Sequence, residues 1–162
     1  MEFSFEREVV APTSKLRDLA LEDHGSKVIF ATDEFFGPKE NLIKSERPTQ
    51  KGSSLDAWVT KRRRSQGHDF SIIKLGRIGV IKEITVDTSF MDGMVPSFFS
   101  IDYQKEKEFS VEEKDWEELL PMKPLTPNCA LLYRLNNKDL SSFIRLNIYP
   151  DGGIARLRLM GY

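Results

Sequence analysis

The strongest constraint on the fold lies in the last third of the chain. Ile144, Leu146 and Ile148 alternate with Phe143, Arg145, Asn147 and Tyr149, and further on Ala155, Leu157 and Leu159 alternate with Arg156 and Arg158. An extended chain sends successive side chains to opposite faces, so this period of two predicts half-buried antiparallel strands. Pro150-Asp151-Gly152-Gly153 lies between the two runs and reads as a hairpin turn. Proline presets φ, aspartate tolerates the next position, and glycine supplies the positive φ that closes the turn.

The same signature recurs upstream. Val28 to Thr32 reads as a strand closed by Asp33-Glu34, and Phe70 to Leu75 as another. In Val80 to Thr88, Ile84 and Val86 alternate with Glu83, Thr85 and Asp87. In Ser97 to Tyr103, Phe99, Ile101 and Tyr103 share one face, and Phe98, Ser100 and Asp102 share the other. Helical signals are short. Pro12-Thr13-Ser14 would cap a helix from Lys15 to Leu21. The acidic stretch Ser110 to Leu120 would give a turn or two before Pro121, Pro124 and Pro127 end it. Residues 36 to 57, with Gly37, Pro38, Pro48 and Gly52, read as a long surface loop. The expectation is an all-β sandwich with short peripheral helices, divided into an N-terminal extension over residues 1–25 and one domain over 26–162.

Composition bounds the function classes. The 162 residues are 40% hydrophobic and 30% charged, the balance of a globular domain with room for a core. No run approaches the roughly 18 apolar residues that a membrane span requires. The opening MEFSFEREVV is acidic and has no apolar segment of the secretory type, so a cytoplasmic protein is expected. Cys129 is the only cysteine, which excludes an intramolecular disulfide and a cysteine-built zinc site. A formal charge of -1 exerts no overall pull on nucleic acid.

A few residues carry chemistry. His68 and Asp69 follow Gly67 where a polar loop enters a strand, and they are candidates for general acid/base work or for a metal ligand with an orienting carboxylate. The alternative is a turn whose polar side chains bond the local backbone. Lys61-Arg62-Arg63-Arg64 is a basic run in which the alternate Arg62 and Arg64 share a face suited to a substrate carboxylate. A weaker reading of the run is phosphate or nucleic-acid binding. Asp33 and Glu34 are adjacent, so at most one of them faces a shared pocket, and Asp33 is the candidate. Depending on register, Arg145, Asn147 and Arg156 share a ligand-binding sheet face or form its wet side. No P-loop, dinucleotide fingerprint, HExxH or GxSxG pattern is present. One histidine beside scattered carboxylates does not spell out a metal shell, so a divalent-metal requirement is not readable.

Together these strings resemble the allantoicase family. Val28-Ile29-Phe30-Ala31-Thr32-Asp33-Glu34-Phe35-Phe36, running on to Glu40-Asn41-Leu42-Ile43, is similar to the opening block of an allantoicase repeat. Trp58 with Thr60, Arg62 and Arg64, then Gly67-His68-Asp69, Ile72 to Gly76, Val86-Asp87-Thr88-Ser89-Phe90 and Trp116 to Pro121 match later blocks in order. The run from Arg145 to Arg158 is the most specific match.

The resemblance implies a jelly-roll, galactose-binding-like sandwich and hydrolysis of allantoate to ureidoglycolate and urea, a step of purine catabolism. That chemistry asks for a proton donor to the leaving nitrogen, a base for water and a cation for the carboxylate. His68, Asp69, and Arg62 or Arg145 are of those types. Family chains typically carry two such repeats, and this one has room for one, so a homo-oligomer or a partner repeat is expected to complete it. At several family positions the residue differs: Ala57 stands for glycine, Val59 for glutamate, Phe70 for tryptophan, Met94 for asparagine, and Ser142-Phe143 for threonine–histidine. Loss of polar groups there supports an alternative, a catalytically inactive binding module on the same fold.

Overall fold

The computed structural model describes residues 15–51 and 54–162. In chain order the strands are β1 (Arg17–Asp18), β2 (Lys27–Ala31), β3 (Gln50–Lys51), β4 (Ser54–Leu55), β5 (Trp58–Val59) and β6 (Asp69–Asp87). They continue as β7 (Phe98–Gln104), β8 (Glu117–Pro124), β9 (Ala130–Arg134), β10 (Leu140–Tyr149), β11 (Gly153–Ile154) and β12 (Arg156–Gly161). The helices lying wholly within the described residues are 3-10 turns at Glu22–His24, Lys39–Ile43 and Glu113–Asp115, and none is long and apolar enough to cross a membrane.

The organising element is β6. Its first part pairs with β2 and β10, and β10 pairs in turn with β7 and β7 with β8. Its second part pairs with β12 and β9, and β12 with β1. One 19-residue strand thus belongs to both layers of the sandwich. Within the register shift of β6 against β10, between Lys74 and Gly79, Gly76 lies so close to the 24–26 turn that a Cβ would come 2.2 Å from the carbonyl oxygen of His24.

The inward faces follow the alternation. Ile73, Ile144, Leu146, Ile148, Phe99 and Ile101 from one sheet meet Ile84, Val86, Leu157 and Leu159 from the other, all of them fully buried. At roughly 1.5–3 kcal/mol for each large apolar side chain, this double row holds the layers together.

Four sequence expectations are corrected. The Pro150–Gly153 segment does not close a hairpin: β10 and β12 pair with different parts of β6, so the segment is a corner carrying the chain between sheets. Gly152 adopts φ +129 there, and a Cβ on it would stand 2.4 Å from the Met94 carbonyl oxygen. Lys15 to Leu21 is not a helix. Arg17–Asp18 pair with the end of β12, and Asp18 Oδ1 accepts hydrogen bonds from Ala20 N and Leu159 N at 3.0 Å each. The proposed cap, Pro12 to Ser14, lies outside the described residues.

The stretch from Ser110 to Leu120 holds one turn, of the 3-10 type, within what was expected, but Glu117–Pro124 form a strand in spite of two prolines. β8 pairs with β7 alone, and an edge strand tolerates residues that cannot donate to a ladder. Residues 36 to 57 are not wholly surface. Leu42 and Ile43 enter the main core, and Asn41 Nδ2 donates to the Ala57 carbonyl at 2.9 Å. Gly52 lies outside the described residues.

Candidate functional site

The polar site lies on the outward face of the β6–β10–β7 sheet. In the ladder Asn147 is opposite Phe70 on one side and Ser100 on the other, and Arg145 is opposite Ile72 and Asp102. Alternation therefore sends Asn147, Arg145, Ser100 and Asp102 to one face as a direct result of pairing.

Asn147 is the centre of this face. It is buried, its Nδ2 donates to Asp102 Oδ2 at 2.9 Å and Ser100 Oγ at 3.2 Å, and its Oδ1 lies 3.1 Å from His68 Nε2. An amide oxygen only accepts. The contact places a proton on His68 Nε2 and leaves Nδ1 as the open lone pair of the neutral ring. The imidazole also packs on the Tyr149 ring with centroids 4.4 Å apart, and Tyr149 OH shares a 2.9 Å hydrogen bond with Ser100 Oγ.

Arg145 completes the network. Its Nε and Nη2 donate to Asp102 Oδ2 at 3.0 and 2.8 Å, while Nη1 and Nη2 donate to Glu113 Oε1 and Oε2 at 3.1 and 2.9 Å. The guanidinium lies 4.6 Å from the Trp116 ring centroid and 5.8 Å from that of Phe70. Burial works against its charge, but the hydrogen bonds to Glu113 and Asp102 outweigh it and keep the group more firmly protonated than usual. The same bonds from Arg145 hold the Glu113 carboxyl below its ordinary pKa.

His68 and Asp69 do not form a dyad. Asp69 shares its inward orientation with Ser71, Ile73 and Leu75 and is buried at the mouth of the sandwich. Its Oδ1 accepts from Thr32 Oγ1 at 2.8 Å and from Arg63 Nη1 at 2.9 Å. The partner that orients His68 is Asn147.

Within the basic run, Arg63 is the tied residue, and its backbone N also donates to Asp151 Oδ2 at 2.8 Å. Arg62 and Arg64 are exposed. Asp33 organises the adjoining loop: Oδ1 accepts from Phe35 N and Lys61 N, and its carbonyl accepts from Trp58 Nε1 at 2.8 Å.

Arg156 belongs to the other sheet and is not brought to the His68 face. It is 1% exposed, and its donors go to Glu46 O, Asp56 O, Ala155 O and both carboxylate oxygens of Asp56. With its fork saturated, it anchors Glu46 and Asp56 and has no free edge for a ligand.

Of the altered family positions, Val59 and Met94 pack in a small apolar cluster with Ala57, Met91 and Ala155. Phe143 meets Phe109 edge to face with centroids 5.4 Å apart, and Phe109 in turn meets Trp116.

Sequence reasoning passed over Asp102, Ser100, Tyr149, Glu113 and Trp116. The signal for Ser100 and Asp102 was present in the polar face of their strand and that for Trp116 in the family block it opens; Glu113 had none, because a loop brings it. Among the described residues no three His, Cys, Asp or Glu side chains gather to hold a metal ion.

The two-layer all-β domain has the galactose-binding-like sandwich fold. The fold matches CBM32-3 from a family 31 glycoside hydrolase of Clostridium perfringens with a TM-score of 0.68 at 15% identity, over 96% of this chain and all of that one. A closer likeness is specific. Residues 17–162 match the allantoicase repeat model, and the chain belongs to the allantoicase family.

It is 40% identical over 146 residues to a probable allantoicase of Photobacterium profundum, covering 85% of this chain and 44% of the relative. The crystal structure of allantoicase from Saccharomyces cerevisiae matches with a TM-score of 0.81 at 32% identity, over 91% of this chain and 44% of that one. The chain thus spans about half the length of the curated relatives it matches.

Proposed function

We propose that this chain is an allantoicase-type hydrolase that converts allantoate and water to ureidoglycolate and urea. The observation that carries the reading is the meeting of His68, Asn147 and Arg145 on one sheet face in a member of the allantoicase family.

Allantoate bears two ureido groups and a carboxylate on one carbon. Arg145, framed by Trp116 and Phe70, supplies a planar cation for the carboxylate. The open Nδ1 of His68 takes a proton from water or, once protonated, gives one to the departing urea nitrogen. Asn147 positions both by holding the imidazole and Asp102. In this reading Asp69, Asp33 and Arg156 shape the scaffold, and the exposed Arg62 and Arg64 attract the anionic substrate.

The reading includes a second repeat, because the relatives run to about twice this length. A second copy of this chain or another allantoicase-type repeat fills that place. The unpaired Cys129 fits a reducing, cytoplasmic setting.

Incubation of the purified chain with allantoate tests the proposal through urea release. Turnover that His68→Ala abolishes supports it. Urea formation no greater than that of the His68→Ala variant, with or without added divalent metal, overturns it in favour of a non-catalytic module.

A further inference from the structure

We propose that Glu113 is a displaceable carboxylate that occupies the anion seat of Arg145 and yields it to a carboxylate ligand carrying a ureido group. The inference rests on the reading of Arg145 as the carboxylate holder and adds a competitor built into the chain.

The two acidic partners of Arg145 differ. Asp102 is fixed from three directions, taking two bonds from Arg145 and one from Asn147 through a single oxygen, and its side chain is 19% exposed. Glu113 meets the other edge of the guanidinium, Nη1 and Nη2, with both oxygens, the fork-to-fork arrangement in which arginine binds a free carboxylate. Its side chain is 80% exposed, and Arg145 is its only ion-pair partner among the described residues. An ion pair this open to water is weak.

The loop carrying Glu113 is held on both sides of that residue, so the exposed side chain can leave Arg145 without the backbone following. Gln104 Oε1 accepts from Ser110 N at 2.9 Å and Gln104 Nε2 donates to Ser110 O at 3.1 Å. Phe109 packs on Phe143 and Trp116. Beyond Ser110, its Oγ accepts from Glu112 N at 3.1 Å and donates to Asp115 Oδ2 at 2.6 Å, so Glu113 sits in a 3-10 turn tied on both sides and only its side chain has to swing away. A ligand carboxylate arriving at the same edge makes the same two hydrogen bonds. Its ureido group also reaches toward His68, which is near enough to Glu113 to act on its charge but is not hydrogen-bonded to it. Exchange therefore conserves the Arg145 bonds and adds others.

The probe is N-carbamoylglycine, which has one ureido group and a carboxylate and no second ureido to lose; its amide is the neutral control. Binding is read by calorimetry and by the fluorescence of Trp116, in carboxylate-free buffer at constant ionic strength. Removing a competitor worth an exposed ion pair, Glu113→Gln lowers the Kd for N-carbamoylglycine about two- to five-fold and leaves that for the amide unchanged. Arg145→Gln abolishes the gain in the double variant. An unchanged or raised Kd in Glu113→Gln, or a gain that survives Arg145→Gln, overturns the proposal. Urea release from allantoate by the unaltered chain is measured alongside. Displacement without turnover leaves the seat standing and removes the hydrolase reading, whereas turnover with no Glu113 effect does the reverse.

Discussion

Asn147 Oδ1 lies 3.1 Å from His68 Nε2 while the same amide donates to Asp102 at 2.9 Å. One buried side chain thus fixes the imidazole tautomer and the acid that holds Arg145. Replacing it by alanine frees both. Asn147→Ala is expected to lower kcat/KM for allantoate about 10- to 100-fold, the scale of misplaced reacting groups, and to cost about 1–3 kcal/mol of stability from unpaired polar atoms. Steady-state urea production and chemical denaturation measure the two effects.

The neighbours His68 and Asp69 should separate in function as they do in space. His68→Gln is expected to reduce turnover about 100-fold or more, the scale of a lost proton-transfer group. Asp69→Asn loses the charge partner of Arg63 and is expected to cost about 1–3 kcal/mol of stability, with kcat changed less than about three-fold. A collapse of kcat in a folded Asp69→Asn protein would return Asp69 to the chemistry.

Asp56 governs acid stability through Arg156. Burial disfavours its charge, but hydrogen bonds from Thr49 N and Arg156 prevail and lower its pKa. Because the folded value lies below the unfolded one, the pair contributes fully above about pH 4 and the contribution drains away as pH falls through the folded value. Asp56→Ala leaves a buried guanidinium without its counter-charge and is expected to cost about 3 kcal/mol at neutral pH. Denaturation midpoints of the variant and the parent should converge as the medium is acidified below that pH.

Gly152 cannot be replaced at the inter-sheet corner. Its positive φ strains any side chain, and the Met94 carbonyl occupies the space that a Cβ needs. Gly152→Ala is expected to destabilise by about 2 kcal/mol or more, read from urea denaturation.

The inward rows of the sandwich were legible in the sequence because alternation reports burial directly: Ile144, Leu146 and Ile148 face the core as the pattern predicts. Pairing is not encoded in the same way. The turn chemistry of Pro150 to Gly153 suits a hairpin, yet both flanking strands find better partners along β6. Two prolines concealed β8, since propensity speaks for the lone chain and an edge position forgives it. Arg156 read as a ligand-binding or a wet residue on an alternating strand, and only Glu46 and Asp56 closing on its guanidinium show it as a buried anchor. At the site, Asn147 and Arg145 could be placed on one face, but Glu113 and Trp116 arrive through a loop whose course no periodicity records.

The long shared strand has a mechanical consequence. Because residues 69–87 are stitched into both layers, neither layer can be peeled off while the other stays whole. Tension or heat applied anywhere along that spine is borne by the entire domain, which should come apart in a single concerted event.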